Sequence, residues 1–327
     1  MNGATLTVEV VRRWDEAHGI CGFELRRPDR APLPGFDAGA HIDVHLPGGL
    51  VRQYSLCGNP ARNDCYEIAV LRDANGRSGS MAMHDQVQQG DLIRIGTPRN
   101  HFPVDAQAAR HLLLAGGIGV TPILAMAEHL ATQNAPFDMH YYARSRERAA
   151  FVERLAASAF QERVQIHFDD AAAHQAFDIA AVIAAAPAHT HLYVCGPRGF
   201  MEAVLAEARG QGWADHRLHH EFFSSAAANA DAREESSFLV RIASSGVSVE
   251  VPAGCTVVES LAQHGVDVLT SCGQGVCGTC MTRVLSGEPD HRDSYLTDEE
   301  KAAGEYFLPC CSRSRSPVLV LDRRAHV

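Results

Sequence analysis

Six stretches in the first hundred residues alternate apolar and polar side chains: TLTVEVVRRW, CGFELRRP, AHIDVHLP, VRQYSLCG, YEIAVLRD and DLIRIGTP. A period of two reads as half-buried β-strand, and the Gly, Pro, Asn and Asp turns between the runs predict a small antiparallel β-barrel over residues 1–104. Over residues 105–225 the pattern changes. RHLLLAGG, PFDMHYYAR, RVQIHF and HLYVCG are apolar runs of strand length. TPILAMAEHL, ERAAFVERLAASAF, FDIAAVIAAA and GFMEAVLAEARGQG follow them in turn with helical patterning. Repeated βα units predict a parallel sheet with helices on both faces, whose ligands sit at the carboxyl ends of its strands.

The small, polar stretch SSAAANADAREESS has no apolar period and predicts an exposed linker at 226–236. Beyond it, residues 237–327 open with a hairpin pattern, SSFLVRIASSGVSVEVPAG. A helix at TVVESLAQHG follows, with Thr256 and Glu259 as a capping box and Gly265 just past its end. Thr297 and Glu300 form a second capping box before Cys310. The expected class is therefore multidomain: an antiparallel β-barrel, an α/β parallel-sheet domain and a C-terminal α+β domain of β-grasp type.

A length of 327 residues suits two or three domains with full cores. The net charge of −10 argues against a nucleic-acid partner, since such binding rests on neutralising phosphates with Lys and Arg. MNGATLTVEVVRRW lacks the pattern of a signal peptide, and the longest apolar run, LLLAGGIGVTPILAMA, is too short and too broken to span a bilayer. A cytoplasmic location is expected. Ten cysteines in that reducing compartment point to metal or catalysis rather than to disulfides.

Cys272, Cys277 and Cys280 have the spacing C-x4-C-x2-C, and Cys310 follows after 29 residues. This is the plant-type 2Fe-2S arrangement, whereas structural zinc sites pair two short knuckles. Gly273, Gly275 and Gly278 let the loop curl and aim N–H groups at sulfur. Cys311 competes with Cys310 as fourth ligand. Cys21, Cys57, Cys65 and Cys255 read as small buried hydrophobes. A one-electron relay of this kind needs an electron source.

Two strand ends in the α/β region supply candidates. GGIGVTP sets Gly116, Gly117 and Gly119 at a strand-to-helix turn, with Pro122 at or near the first helical position. Such a turn either cradles an anion at a helix N-terminus or merely packs tightly. The G-x-G-x-x-G fingerprint is incomplete, because Pro122 stands where its third glycine belongs. YVCGPRGF places Cys195, Gly196 and Pro197 at a second strand end, and the two together favour a nicotinamide nucleotide. In VRQYS, alternation sends Arg52 and Tyr54 to one face, Gln53 and Ser55 to the other. A cation, a flat ring and a hydroxyl suit a phosphorylated aromatic cofactor, and Gly76, Gly79 and Ser80 in NGRSGS can wrap a phosphate. Arg144, Arg146 and Arg148 either meet a 2′-phosphate or open a solvated helix. His219 and His220 receive no role.

In their order and spacing, RQYSLCG, IAVLRDANGRSGS, PRNHFP, AGGIGVTP, VCGP and CGQGVCGTC with CCSRSRSPVLVLD make the chain resemble the phthalate dioxygenase reductase family. The resemblance covers essentially the whole length. It implies FMN as the flavin, bound by Arg52, Tyr54 and Ser55 through phosphate or ribityl, ring and N5 region. It further implies Ala69, Val70 and Leu71 lining the flavin, Gly79 and Ser80 at its phosphate, and Thr121 closing the site. Gly116, Gly117 and the turn Cys195, Gly196, Pro197 would seat NADH. Phe223, beside Phe222, matches an aromatic near the flavin, so Ser55 and Phe223 are the expected catalytic residues. Cys272, Cys277, Cys280 and Cys310 are the expected cluster ligands.

The implied activity passes electrons from NADH through FMN and the 2Fe-2S cluster to a Rieske-type oxygenase of aromatic catabolism, with the chain a monomer. A cytochrome P450 or a diiron oxygenase as acceptor would keep every motif. A non-enzymatic iron-sulfur sensor would need no flavin-binding strands.

Overall fold

The computed structural model describes residues 5–47, 50–73, 79–170, 178–223, 236–270, 273, 275–276 and 278–322. They fall in two compact units, Met1–Glu221 and Phe222–Val327.

In the first unit the alternating runs become β1 (Thr5–Ala17), β2 (Ile20–Arg26), β3 (Ala40–His45), β4 (Val51–Ser55), β5 (Tyr66–Leu71), β6 (Leu92–Gly96) and the short β7 (Arg99–Asn100). The helix α1 (Gly79–Gln86) lies between β5 and β6. The sheet order is β4-β3-β6-β1-β2-β5, with β7 paired to β3. Val8 and Val10, Phe23 and Leu25, Ile42 and Val44 occupy alternate positions and are fully buried in one core, each contributing about 1.5–3 kcal/mol. The barrel expected from the turn spacing is not seen as a continuous ladder. β4 and β5, the outermost strands, meet through the isolated bridge Leu56–Ile68 and the Cys57 N–H donating to the Glu67 carbonyl at 2.9 Å.

The same unit holds a parallel sheet of β8 (Arg110–Gly116), β9 (Phe137–Ala143), β10 (Val164–Phe168), β11 (Thr190–Cys195) and β12 (Leu218–Glu221), in the order β10-β9-β8-β11-β12. Helices α2 (Val120–Thr132), α3 (Val152–Ala156), α4 (Ile179–Ala185) and α5 (Arg198–Gly210) make the crossovers. Strand order reverses between β8 and β11, so the crevice beyond their carboxyl ends is the topological switch point where ligands of such sheets bind. Both glycine-containing turns singled out by sequence flank it.

ERAAFVERLAASAF predicts one long helix, but only α3 forms. The Ala150 N–H donates to the Tyr141 hydroxyl at 3.0 Å and the Phe151 N–H to Glu16 Oε1 at 2.7 Å. Phe151 itself is left-handed, with φ 61°. Tertiary partners thus claim the donors that a continuous helix would use. Arg154 then joins the two sheets' layers, reaching Glu67 at 2.7 Å and Glu128 at 2.9 Å.

The second unit contains β13 (Phe238–Ile242), β14 (Ser248–Val251), β15 (Thr282–Ser286), β16 (Pro289–Asp290), β17 (Tyr306–Phe307), β18 (Arg313–Ser314) and β19 (Val318–Asp322). Five of them form a sheet in the order β14-β13-β19-β15-β17, while β16 pairs with β18. Both capping boxes form as expected, at the starts of α6 (Val257–Gln263) and α7 (Asp298–Ala303), each worth about 1 kcal/mol. Buried Arg313 donates to the carbonyls of Cys255, Ser236 and Pro252, tying the chain after Cys310 to the hairpin. Among the described residues no helix is long and apolar enough to cross a membrane.

Candidate functional site

On β4 Ser55 is buried, while Arg52, Gln53 and Tyr54 are half-buried. The Arg52 side chain lies against Gly79 at the start of α1: a Cβ there would stand 2.3 Å from Arg52 Nε. A side chain at position 79 would displace the Arg52 side chain from this place. Tyr54 packs on the sheet's core, yet its buried hydroxyl has no hydrogen-bond partner among the described residues. Such an orphan costs about 1–3 kcal/mol, and the site fits a cofactor that brings a polar group to it. Burial also raises the Tyr54 pKa, keeping the phenol protonated.

Ser80 Oγ accepts from the Asp73 N–H at 3.1 Å, while Gly76 lies outside the described residues. On β5, Ala69 and Val70 are buried and Leu71 is exposed. The Val70 carbonyl is already engaged by His84 Nε2 at 2.8 Å, so it has one lone pair fewer to offer a ligand.

Ser55 meets a residue that the sequence did not reveal. Its hydroxyl donates to Glu221 Oε2 at 3.5 Å, at the end of β12. Burial pushes the Glu221 carboxyl up to about 8, the Ser55 hydrogen bond opposing this only in part. His41 Nδ1 stands 3.8 Å from Glu221 Oε1. Burial first, then the Arg99 and His101 charges, lower His41 to about 4, so at neutral pH a protonated acid faces a neutral imidazole and no ion pair forms. Cys195, fully buried, is the β11 partner of Glu221. Burial, reinforced by Glu221, keeps its thiol protonated.

Because folding raises the Glu221 pKa, the native state holds a proton that the unfolded chain releases. Stability from this group is present in full below the unfolded value of 4.5, erodes as pH rises, and is lost above about 8. Glu221→Gln is expected to remove that erosion. Urea unfolding at about pH 5 and about pH 9 should show a smaller loss in the variant than in the wild type, and equal losses would contradict the assignment.

At the switch point, glycines serve two purposes. A Cβ on Gly119 would lie 2.3 Å from the Cys195 carbonyl oxygen, and one on Gly196 2.9 Å from Gly116 Cα, so these positions exist for close packing. Gly117 differs: its φ is +50° and a Cβ would meet nothing within 4 Å. It faces open space, as a ligand-facing turn must. The helix begins at Val120 after a 3₁₀ turn at Gly117–Gly119, which makes Pro122 the third helical residue rather than the first. Buried Thr121 donates to the Ile118 carbonyl at 3.0 Å. Pro197 precedes α5.

In the second unit, Cys280 and Cys310 are buried together with Leu296 and Leu308. Cys272 and Cys277 lie outside the described residues. Gly273, Gly275 and Gly278 have φ of +61°, +72° and +69°, the left-handed backbone needed to curl a loop around a ligand. Two buried thiols beside that loop fit an iron-sulfur centre. Cys311 is half-buried, and its thiol lies 3.7 Å from the Leu308 carbonyl. Cys21, Cys57 and Cys65 are buried as expected, but Cys255 is half-buried and its carbonyl serves Arg313. Phe223, half-buried, belongs to this unit.

Residues 240–315 match the 2Fe-2S iron-sulfur cluster binding domain, and residues 93–218 match the N-terminal domain of dimethylamine monooxygenase subunit DmmA-like proteins. The chain is 53% identical over 314 residues to vanillate O-demethylase oxidoreductase of Pseudomonas putida, covering 96% of this chain and 98% of that protein. It is similar to solved phthalate dioxygenase reductase, described as a modular structure for electron transfer from pyridine nucleotides to 2Fe-2S, with TM-score 0.80, 39% identity and 98% of each chain covered. The chain belongs to the phthalate dioxygenase reductase family. An intact type IV self-sufficient cytochrome P450 monooxygenase is also similar, with TM-score 0.78 and 37% identity over 97% of this chain and 41% of that one. Family membership accounts for the joint presence of a switch-point crevice and a cysteine-rich C-terminal unit in one polypeptide.

Proposed function

We propose that this chain is the reductase component of an oxygenase system and carries electrons from a pyridine nucleotide to its own 2Fe-2S cluster. The observation that carries the reading is the meeting of Ser55, at the end of β4, with Glu221 and Cys195 at the ends of β12 and β11. A cofactor on the β4 strand is thereby set beside the crevice that suits a nucleotide.

FMN is the cofactor that the residues fit. When bound it supplies exchange between a two-electron hydride donor and one-electron acceptors. The chain's own part is positional. Arg52, held against Gly79, sets a positive charge at the α1 start, and the Tyr54 hydroxyl offers a donor. Ser55 Oγ donates to Glu221 Oε2 where the two strands end. Gly117 leaves room for the nucleotide, and NADH is the form proposed. Cys272, Cys277, Cys280 and Cys310 hold the cluster. Residues 1–104, read as a flavin barrel pinned at Leu56–Ile68, residues 105–225, the linker 226–236 and residues 237–327 are the proposed functional divisions of a cytoplasmic monomer.

The proposed acceptor is a Rieske-type oxygenase. The likeness to a self-sufficient P450 supports a second reading, with a cytochrome P450 as acceptor. Catalytic amounts of the purified chain are expected to support NADH-dependent turnover of a Rieske-type oxygenase component. Reduction of P450 candidates alone would select the second reading, and failure with both would sink both readings.

A further inference from the structure

The parallel sheet of the first unit carries another polar cluster, nearer the amino ends of its strands. His191 alternates with Tyr193 and Cys195 along β11, and His219 with Glu221 along β12, so both histidines share the face that presents Cys195 and Glu221. His191 Nδ1 and His219 Nε2 are 3.0 Å apart. Asp105, on the connection into β8, brings Oδ2 to 3.6 Å from His191 Nδ1. The three groups offer ligand atoms that all lie within 4.8 Å of one another.

Asp105 is held rather than loose. Its N–H donates to the Tyr193 hydroxyl at 2.9 Å, and its Oδ1 accepts from the Gln107 N–H at 2.8 Å. The second oxygen is left facing the histidines. The His219 ring stacks on Tyr193, with centroids 4.4 Å apart and planes 9° from parallel. His216, on the turn Asp215–Arg217, has its ring 6.4 Å from that of His191.

The plain alternative is a histidine pair joined by one N–H···N hydrogen bond, with ring centroids 5.2 Å apart and planes 17° from parallel. In that arrangement one proton bridges the two imidazole nitrogens, and Asp105 Oδ2, on a side chain about a third exposed, takes its donors from solvent. A cation among the three would instead be held by all three ligand atoms. Two imidazoles and a carboxylate form a ligand set that suits zinc and its neighbours. Four-coordinate bonds of about 2.0–2.1 Å put ligand atoms about 3.3 Å apart, close to the 3.0 and 3.6 Å of the two pairs that involve His191 Nδ1, with all three pairs within 4.8 Å.

We propose that Asp105, His191 and His219 form a binding site for a divalent transition metal of the zinc class. The ion ties the edge strand β12 and its neighbour to the connection that enters β8. It lies outside the Ser55–Glu221 pair and takes no part in electron transfer.

The flavin- and cluster-loaded protein, freed of loose ions by a chelator, is titrated with zinc chloride by calorimetry while its unfolding temperature is recorded. Wild type is expected to bind one equivalent and to unfold at a higher temperature with zinc. His191→Gln should bind at least about 100-fold more weakly, since even changes in the outer shell of metal sites cost about 10–100-fold. Asp105→Asn keeps the contact to Gln107 and should lose about 10-fold or more, which serves if His191→Gln fails to fold. NADH-driven ferricyanide reduction should be unchanged in both. Equal binding by wild type and variants would put the zinc on cysteines or the surface and overturn the site, as would no binding at all.

Discussion

Replacing Cys310 with serine is expected to abolish NADH-driven cytochrome c reduction while ferricyanide reduction continues. Cys310 is buried beside Cys280, and serine offers a poorer ligand of nearly the same size, so the fold of the second unit should survive. The electron path then ends at the flavin. Ferricyanide, a small acceptor, can take electrons there, whereas cytochrome c reduction is expected to depend on the cluster. Iron and sulfide content measured on the same preparation should fall with the cytochrome c rate. Equal loss of both activities would show that the first unit cannot work without the second. Unchanged cytochrome c reduction would remove Cys310 from the ligand set and turn attention to Cys311.

Gly119→Ala should be as damaging by a different route. The new methyl carbon would stand 2.3 Å from the Cys195 oxygen, 2.4 Å from its carbonyl carbon and 2.6 Å from the Gly196 nitrogen. All three are backbone atoms at the end of a central strand, so no side chain can swing away. The turn after β8 must separate from β11, at a cost of about 1–3 kcal/mol or more, and the crevice between them widens. A raised KM for NADH and a lower unfolding midpoint are expected together. Gly199→Ala is the control: it lies in α5 with nothing within 4 Å of the added carbon, and should stabilise by about 0.4–1 kcal/mol. Matching behaviour of the two variants would refute the packing argument.

Local chemistry made much of this legible beforehand. The period-two runs became strands because most of their apolar positions face one core, and Thr256 and Thr297 cap helices because the box needs only neighbours in sequence. The spacing of Cys272, Cys277, Cys280 and Cys310 pointed to iron and sulfide for the same reason, since most of the loop is local. What stayed hidden depends on distant partners. Glu221 matters because it meets Ser55, 166 positions away, and nothing in LHHEFF signals that. The helix expected around Phe151 is cut short by Tyr141 and Glu16, again from other elements. The short strand β12 carries histidines on a parallel edge and has no alternation of its own to reveal it. The glycines after β8 could be read as packing or as ligand-facing, and the structure assigns Gly119 to the first and leaves Gly117 open for the second.

An anaerobic titration of the purified, coloured protein with NADH, followed by visible absorbance and joined to assays for FMN, iron and sulfide, bears most directly on the electron relay. Bleaching of both a flavin band and an iron-sulfur band, with FMN released on denaturation, is the expected result. A protein that yields no flavin, or holds zinc where iron and sulfide should be, would contradict it.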